Sequence, residues 1–380
     1  MVKAILIIGM RRGGNHYVAL DVTNYNDPQW LWEINTSTPG YAELGQTWST
    51  PQLGQIQYGA DTKWVAFVGG GYDPNQDLAT PGNDTQGRAV YLINILDGSL
   101  IWSYSNAKNS NMKHCIPSDI SRVDTNGDGI IDRLYVGDTG GKLWRFDIGD
   151  PDTSKWTGKV LFDSNPGTSL KRKIFYPPDV TLEKGNYEMV FFGTGDREHP
   201  KDLTKVDRLY AVNDKNLASP LTESNLYDAT LDLLQEGDHL SELAILNASQ
   251  GWYIKLSDPQ YPGEKCLANP VIFYGVLYFT TFLPDVKPAD ICYMSSGSGR
   301  LYALNYTTGN AVFNLDGIGT LNDLTRNDRS TNIGVSIPSG VIVTFVGGTS
   351  VAYAGVGGGV FIPPLPINRV IIPISWRIKF

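Results

Sequence analysis

The nine residues from Asp124 to Asp132 read Asp-Thr-Asn-Gly-Asp-Gly-Ile-Ile-Asp. Side-chain oxygens stand at the first, third, fifth and ninth positions, on Asp124, Asn126, Asp128 and Asp132. Ile130, at the seventh, can offer its backbone carbonyl, and Gly129, at the sixth, permits a sharp turn. A hard cation takes six or more oxygens at close range, and alternate residues of a tight loop can point theirs inward. This is the ligand order of an EF-hand-type calcium loop. Three carboxylates so close in sequence repel one another unless a cation, here Ca2+, offsets their charge. The twelfth position, where an EF-hand places a bidentate Glu, is Tyr135. Asp132 is then the expected bidentate ligand, or water fills the shell. A metal-free turn built from Asp, Asn and Gly is the plainer alternative.

The elements around the loop are not those of an EF-hand. Leu134 to Asp138 and Lys142 to Ile148 alternate with period two about a Gly-Gly turn. That pattern predicts a β-hairpin, so the loop precedes a strand and does not join two helices.

Strand-turn-strand cassettes recur along the 380 residues. They read Tyr17-Val18-Ala19-Leu20-Asp21-Val22 with Leu31-Trp32-Glu33, and Val90-Tyr91-Leu92-Ile93-Asn94 with Ile101-Trp102. Further copies are Leu143-Trp144-Arg145-Phe146-Asp147, Leu209-Tyr210-Ala211-Val212-Asn213, and Leu301-Tyr302-Ala303-Leu304-Asn305 with Val312-Phe313. Their starts fall roughly fifty to ninety residues apart, wider and less even than the forty-odd of a WD40 blade. Apolar runs at Trp64–Gly71, Glu188–Gly195 and Val276–Phe282 precede three of the copies and suit inner strands. Such units argue an all-β propeller, with residues 1–380 as one domain. About seven blades are expected, although six to eight all fit. Ser224 to Leu234 has helical spacing with a cap at Ser224, and predicts a short helical insertion between blades. Gly340 to Gly359 reads as strand, and Val370 to Phe380 as a closing terminal strand.

Composition agrees with that class: 41 glycines, with 9 Trp, 20 Tyr and 13 Phe, suit many short strands and tight turns. The net charge of −8 and a largest basic cluster of only Lys171-Arg172-Lys173 argue against a nucleic-acid partner. No apolar run reaches the length of a membrane-spanning helix. Ala4 to Ile8 is too short for a signal peptide and is expected as a buried strand, so export information is expected upstream of this chain. Cys115 is expected as a free core thiol. Cys266 and Cys292 are either one bridge or two buried thiols, and the sequence leaves both open. No Cys or His spacing fits structural zinc.

Several of these stretches together resemble the C-terminal domain of the PilY family of type IV pilus tip-associated proteins. They are Tyr17–Val22 with Leu31–Glu33, Val123–Gly129 through Val136–Asp138 to Leu143–Asp147, and Phe192-Gly193-Thr194-Gly195-Asp196-Arg197-Glu198. Gly251-Trp252-Tyr253, Val276–Phe282 and Ile374-Ser375-Trp376-Arg377 complete the set in family order. The resemblance implies a modified quinoprotein-like β-propeller with calcium at Asp124, Asn126, Asp128, Ile130 and Asp132. It also implies a cell-surface or outer-membrane-associated place at the pilus, where such proteins prime assembly, oppose retraction and support adhesion and twitching motility. Minor pilins and the tip complex, and a host or surface receptor, are the implied partners. The family's long N-terminal region has no counterpart here. Asn126 stands where many members have Asp, which lowers the charge of the site.

The runner-up is a periplasmic quinone-dependent (PQQ) dehydrogenase of similar fold. Such enzymes hold calcium beside the quinone, and many carry adjacent cysteines. This chain has no Cys-Cys pair, and its acidic loop is self-contained. His16, His114, His199 and His239 lack partners at a hydrolase spacing. Asp196-Arg197-Glu198-His199 is expected as a hydrogen-bonded turn, and no enzymatic activity is expected. A third class is a structural propeller that binds peptides or glycans on one face. Most Trp and Tyr fall in cassette strands and are expected in the core.

Overall fold

The computed structural model describes residues 3–167, 172–185, 187–285, 296–347 and 349–366. The expected closing strand at 370–380, Cys292 and Lys171 lie outside them. The chain forms two compact units, residues 1–200 with 212–225, and residues 201–211 with 226–380. Among the described residues the strands fall into six sheets.

In the first unit, β1 (Ile5–Gly9), β2 (Tyr17–Asp21) and β3 (Gln29–Ile34) form an antiparallel meander. The next sheet holds β4 (Gln52–Tyr58), β5 (Asp61–Gly69), β6 (Ala89–Asn94) and β7 (Leu100–Ser105) in chain order. A third holds β8 (Ser121–Val123), β9 (Arg133–Gly137), β10 (Lys142–Asp147) and β11 (Thr157–Asp163), also in order. β12 (Asp179–Glu183) and β13 (Tyr187–Gly193) pair antiparallel. β14 (Arg208–Asp214) begins in the second unit and ends in the first.

Period two explains why the inner strands read as unbroken apolar runs. Val65 and Phe67 of β5, with Val90 and Leu92 of β6, pack on one side against Leu134, Val136, Trp144 and Phe146 of the third sheet. Their alternating neighbours Ala66, Val68, Ala89, Tyr91 and Ile93 pack on the other side against Tyr17, Ala19, Trp32 and Ile34 of the first. A strand with a sheet on each face has no solvent side, so no polar alternation is selected. Each large side chain buried this way contributes roughly 2–3 kcal/mol. The strands end in glycine because backbone meets backbone there. A Cβ at Gly69 would lie 2.4 Å from the Ile116 carbonyl oxygen, and one at Gly70 2.4 Å from that of Gly87.

β1 departs from expectation. Leu6 and Ile8 are exposed, so the strand is a half-buried sheet edge and not a buried one.

In the second unit, β15 (Tyr227–Asp228) runs parallel to β16 (Gly251–Lys255). Two helices lie between them in sequence, α1 (Leu233–Glu236) and α2 (His239–Ala248). The helix expected over Ser224–Leu234 is therefore displaced toward the C-terminus. Ser224 sits in one tight turn, Glu223–Asn225, and Tyr227 is drawn into strand pairing with Trp252. Asp232 takes a left-handed φ of 56°, which a continuous helix does not allow. A further sheet contains β17 (Lys265–Cys266), β18 (Val271–Phe273), β19 (Val276–Leu283), β20 (Ser298–Asn305) and β21 (Ser330–Val335). Its Val276, Tyr278, Leu301 and Ala303 pack against Ala352, Ala354 and Val356 of the last sheet. That sheet holds β22 (Ile342–Val346), β23 (Thr349–Val356) and β24 (Gly359–Phe361), as the 340–359 pattern predicts.

Cys115 is buried, with its Sγ 3.3 Å from Thr139 Oγ1, and burial pushes its thiol well above the ordinary value. Cys266 is also a buried thiol, 3.3 Å from the Ala268 carbonyl.

Candidate metal loop

The acidic loop joins β8 to β9, which pair antiparallel and close on Val123 opposite Arg133. It is a hairpin loop on a buried sheet, with Asn126 to Gly129 exposed and the two ends half-buried. Both ends are fixed by backbone bonds. The Asp132 N–H donates to the Val123 carbonyl at 3.1 Å, and the Ile148 N–H to the Asp132 carbonyl at 2.8 Å. The Ile131 N–H reaches across to the Gln55 carbonyl of β4 at 2.8 Å, while the Ile131 side chain packs against the core.

Inside these anchors the loop winds around its own side-chain oxygens. Asp124 Oδ1 accepts from the Gly127 N–H at 2.7 Å and the Asp128 N–H at 3.2 Å, and its Oδ2 accepts from the Gly129 N–H at 2.7 Å. Asn126 Oδ1 accepts from the Asp128 N–H at 2.9 Å, and Asp128 Oδ1 from the Ile130 N–H at 2.8 Å. Gly127 and Gly129 take φ of 79° and 88°, which explains glycine at both places although a Cβ would meet nothing within 4 Å. Asp132 is turned to the start of the loop. Its carboxylate accepts from the Thr125 hydroxyl at 2.6 Å and from the Thr125 N–H at 3.1 and 3.2 Å.

The five expected residues thus share one loop, and all their donor atoms are hard oxygens. Among the described residues, no Lys or Arg forms an ion pair with Asp124, Asp128 or Asp132. As placed, no three carboxylate, imidazole or thiol groups of the described residues stand close enough to hold an ion. The reason is visible in the bonds above: each carboxylate faces loop N–H groups. The donor chemistry fits a calcium ion, and Asp124 Oδ2, Asp128 Oδ1 and Asp132 Oδ1 each accept one bond and keep a second lone pair. Thr125 was not among the expected residues. A hydroxyl one position after the first Asp, opposite a carboxylate at the ninth, is the sequence signal that could have found it.

Just past the loop lies a second charged group that sequence reasoning missed. Arg145 is buried and donates to both oxygens of Asp214, at 2.8 and 2.9 Å, and to Asp147 Oδ1 at 2.7 Å. Arg133 Nε donates to the same Asp147 oxygen at 2.9 Å and its Nη1 to Glu188. The Tyr135 hydroxyl donates to Asp214 Oδ2 at 2.6 Å. Burial acts against the charge of Arg145, but Asp147 and Asp214 outweigh it and its pKa is raised. For Glu188 burial dominates, and its pKa is raised despite Arg133. The members span residues 133 to 214, so no local motif announces them. They clamp β9 and β10 from the residue directly after Asp132 onward.

The hairpin turn has its own lock. Buried Asp138 accepts from the Gly140 and Lys142 N–H groups, both at 2.9 Å, and from Trp144 Nε1 at 2.8 Å. Asp196 accepts from the N–H groups of Glu198 and His199, as a hydrogen-bonded turn requires, and also pairs with buried Lys173 at 2.8 Å. His199 Nδ1 lies 3.0 Å from the same carboxylate, and His16 sits against Glu33.

Comparison with known proteins gives one consistent result. The family model of the PilY1 beta-propeller domain matches residues 2–241. A type IV pilus biogenesis factor PilY1 homolog of Xylella fastidiosa is 26% identical over 375 residues, covering 87% of this chain and 23% of that protein. The type IV pilus biogenesis factor PilY1 of Pseudomonas aeruginosa (strain UCBPP-PA14) is 25% identical over 369 residues, covering 81% and 30%. The chain therefore spans less than a third of the length of these relatives. The crystal structure of the Pseudomonas aeruginosa PilY1 C-terminal domain superposes with a TM-score of 0.69 at 20% identity, over 95% of this chain and 80% of that one. That likeness carries the fold. No helix among the described residues is long and apolar enough to cross a membrane.

Proposed function

Since the chain belongs to the PilY1 β-propeller domain family, we propose that it is a calcium-binding scaffold of the type IV pilus machinery. Asp124, Asn126, Asp128 and Asp132 would hold the ion through side-chain oxygens, and Ile130 through its carbonyl. Bound there, a calcium ion supplies the positive charge that these three carboxylates lack from any neighbouring Lys or Arg. The observation that carries the reading is this one: an exposed loop of hard oxygen donors, rigidly anchored at both ends, with no cation of its own.

The protein's own residues would do the remaining work. The backbone bonds of Asp132 to Val123 and Ile148 couple the loop to β8 and to the end of β10. The Arg145 and Arg133 network holds β9 and β10 together behind the loop. A change in the loop therefore reaches the β9–β10 hairpin with little slack; the hairpin strands are buried, so the exposed stretch Asn126 to Gly129 of the loop is the surface assigned to a pilus partner. Minor pilins and the tip complex are the proposed partners, with a host or surface receptor beyond them, and the cell surface or outer membrane is the proposed location. Roles in assembly, opposition to retraction and adhesion follow the same proposal. No chemical step is assigned to the chain.

The test is retention of purified minor pilins on the immobilised protein, with calcium and with chelator. Retention that needs calcium and is lost in Asp132→Ala supports the proposal. Equal retention under both conditions rejects the gating.

A further inference from the structure

Loops that flank five strands of the first unit meet around a cavity of about 330 Å3, within the size range of small-molecule sites. Arg11 follows β1, Trp48 precedes β4, and Pro117 and Asp119 precede β8. Phe175, Tyr176 and Pro177 precede β12, while Arg197 and Glu198 follow β13.

The walls are largely aromatic. Trp48 stacks on Tyr72 with ring centroids 4.7 Å apart, and Phe175 lies 6.4 Å from Trp48. Phe175 is buried, whereas Trp48 and Tyr176 are half-buried and keep accessible ring surface. The two prolines add rigid apolar wall. No Ser, Thr, Asn or Gln is among the residues around the cavity, so the hydroxyls of a sugar would find few partners there. Such walls suit a flat or branched apolar group.

The carboxylates at the cavity are engaged, and its cations are not. Glu198 pairs with Arg12, which also pairs with Asp77 at 2.9 Å. Asp119 Oδ1 accepts from the Thr50 N–H at 2.6 Å. Arg11 and Arg197 are exposed, and among the described residues neither joins an ion pair. Asp119 attracts Arg11 only from beyond ion-pair distance. Arg197 Nη1 donates to the Tyr176 hydroxyl at 2.8 Å, which sets the guanidinium beside that ring. Arg11 is held at a left-handed φ of 50°, with its N–H donating to the Thr47 carbonyl at 3.2 Å and the Met10 N–H to Thr47 Oγ1 at 2.7 Å. A residue with a long side chain persists in that region only where its surroundings fix it, and such positions gather at ligand sites.

Two guanidiniums match a carboxylate. A dianion such as phosphate would be repelled by Asp119 and Glu198 and would leave the aromatic walls uncovered. A carboxylate carried on an apolar group uses both kinds of wall. An N–H beside that carboxylate can donate to Asp119 or Glu198, whose oxygens keep lone pairs. The last residue of a polypeptide carries all three groups.

We propose that this cavity binds the C-terminal residue of a polypeptide, its apolar side chain against Trp48 and Tyr176 and its carboxylate between Arg11 and Arg197. The site shares no residue with the acidic loop and does not depend on calcium there.

The test is an NMR titration of the whole chain, in chelator, with the peptide acetyl-Gly-Gly-Phe as the probe. The same peptide amidated at its C-terminus, acetyl-Gly-Gly-Gly and 3-phenylpropionate are the comparisons. The free-acid peptide should bind about tenfold more tightly than each of the three. Arg197→Ala should lose about tenfold in affinity for it at an unchanged melting temperature, because the side chain is exposed, and Arg197→Lys should retain part of the affinity. The proposal is overturned if the amidated peptide or acetyl-Gly-Gly-Gly binds as well as the probe, or if Arg197→Ala binds like the parent. Equal binding of 3-phenylpropionate would also overturn it, because the ligand would then be a free aromatic acid and not a chain end.

Discussion

Asp132 grips Thr125 through both the hydroxyl, at 2.6 Å, and the backbone N–H, at 3.1 and 3.2 Å. The ninth residue of the acidic loop thereby ties down the second, and the loop is closed across its own mouth. Thr125→Val keeps the shape and the N–H but removes the shorter bond. A hydrogen bond to a carboxylate contributes about 1.5–3 kcal/mol at most, and less where solvent competes. Urea unfolding of Thr125→Val should show a loss of about 1 kcal/mol. An unchanged midpoint would mean that the contact holds nothing.

The charged network behind the hairpin should be far more sensitive. Asp214 is buried and takes both Arg145 bonds and the Tyr135 hydroxyl. Asp214→Ala leaves a buried guanidinium without its bidentate partner, which typically costs about 3–5 kcal/mol. Lys155→Ala breaks an ion pair with Asp150 in which both side chains are largely solvated, and should cost under about 1 kcal/mol. Denaturant midpoints of the two variants separate these cases. Similar losses would refute the weight given to the network.

Two glycines with similar φ should differ for a packing reason. Gly98 has φ 71° and faces the Trp32 ring, so that an added Cβ would lie 2.9 Å from it. The Trp32 Nε1 donates to the Ile95 carbonyl beside it at 3.0 Å. The geometry repeats where Trp252 covers Gly309 and donates to the Tyr306 carbonyl at 2.9 Å. Gly127 has φ 79° with open space around it. Gly127→Ala should cost about 1 kcal/mol for backbone strain alone. Gly98→Ala should add overpacking of roughly 1–3 kcal/mol. Melting curves of both would check the order.

Two buried aspartates make opposite contributions to pH dependence. Burial pushes Asp84 up, but His114, whose Nδ1 stands 3.6 Å away, and hydrogen bonds from Asn75, Gln76 and the Cys115 N–H outweigh it and hold the carboxyl at about 2. Its folded pKa lies below the ordinary 3.8, so its stabilisation is present above pH 3.8 and is lost as pH falls through 2. Burial pushes Asp232 up to about 6, with Arg329 pulling the other way. Its folded pKa is raised, so the contribution is fully present below pH 3.8 and is lost as pH rises through about 6. Asp232→Asn should therefore gain in melting temperature relative to the parent as the pH is raised from about 4 to 7. A constant difference across that range would contradict the assignment.

How much of this could be read from the chain depends on the range of the contacts. The loop, the hairpin after it and the cassette strands were legible because their signals lie within about ten residues. So were the core positions of Phe67, Trp144 and Tyr278, which lie in the apolar runs and cassette strands read from the sequence. The helix was misplaced because Ser224 to Leu234 has helical spacing, and nothing local shows that Trp252 pairs with Tyr227 or that Asp232 turns left-handed. β1 was read as buried because Leu6 and Ile8 are apolar, whereas the edge position exposes them. The Arg145–Asp214 pair joins residues 69 apart in sequence, and only the fold brings them together.

The most direct test of the central proposal is calorimetric titration of calcium into the chelator-stripped protein, with Asp132→Ala beside it. The account predicts one site in the parent and none in the variant. No binding to the parent, or equal binding to Asp132→Ala, would contradict it, and the loop would then be a turn held by its own hydrogen bonds.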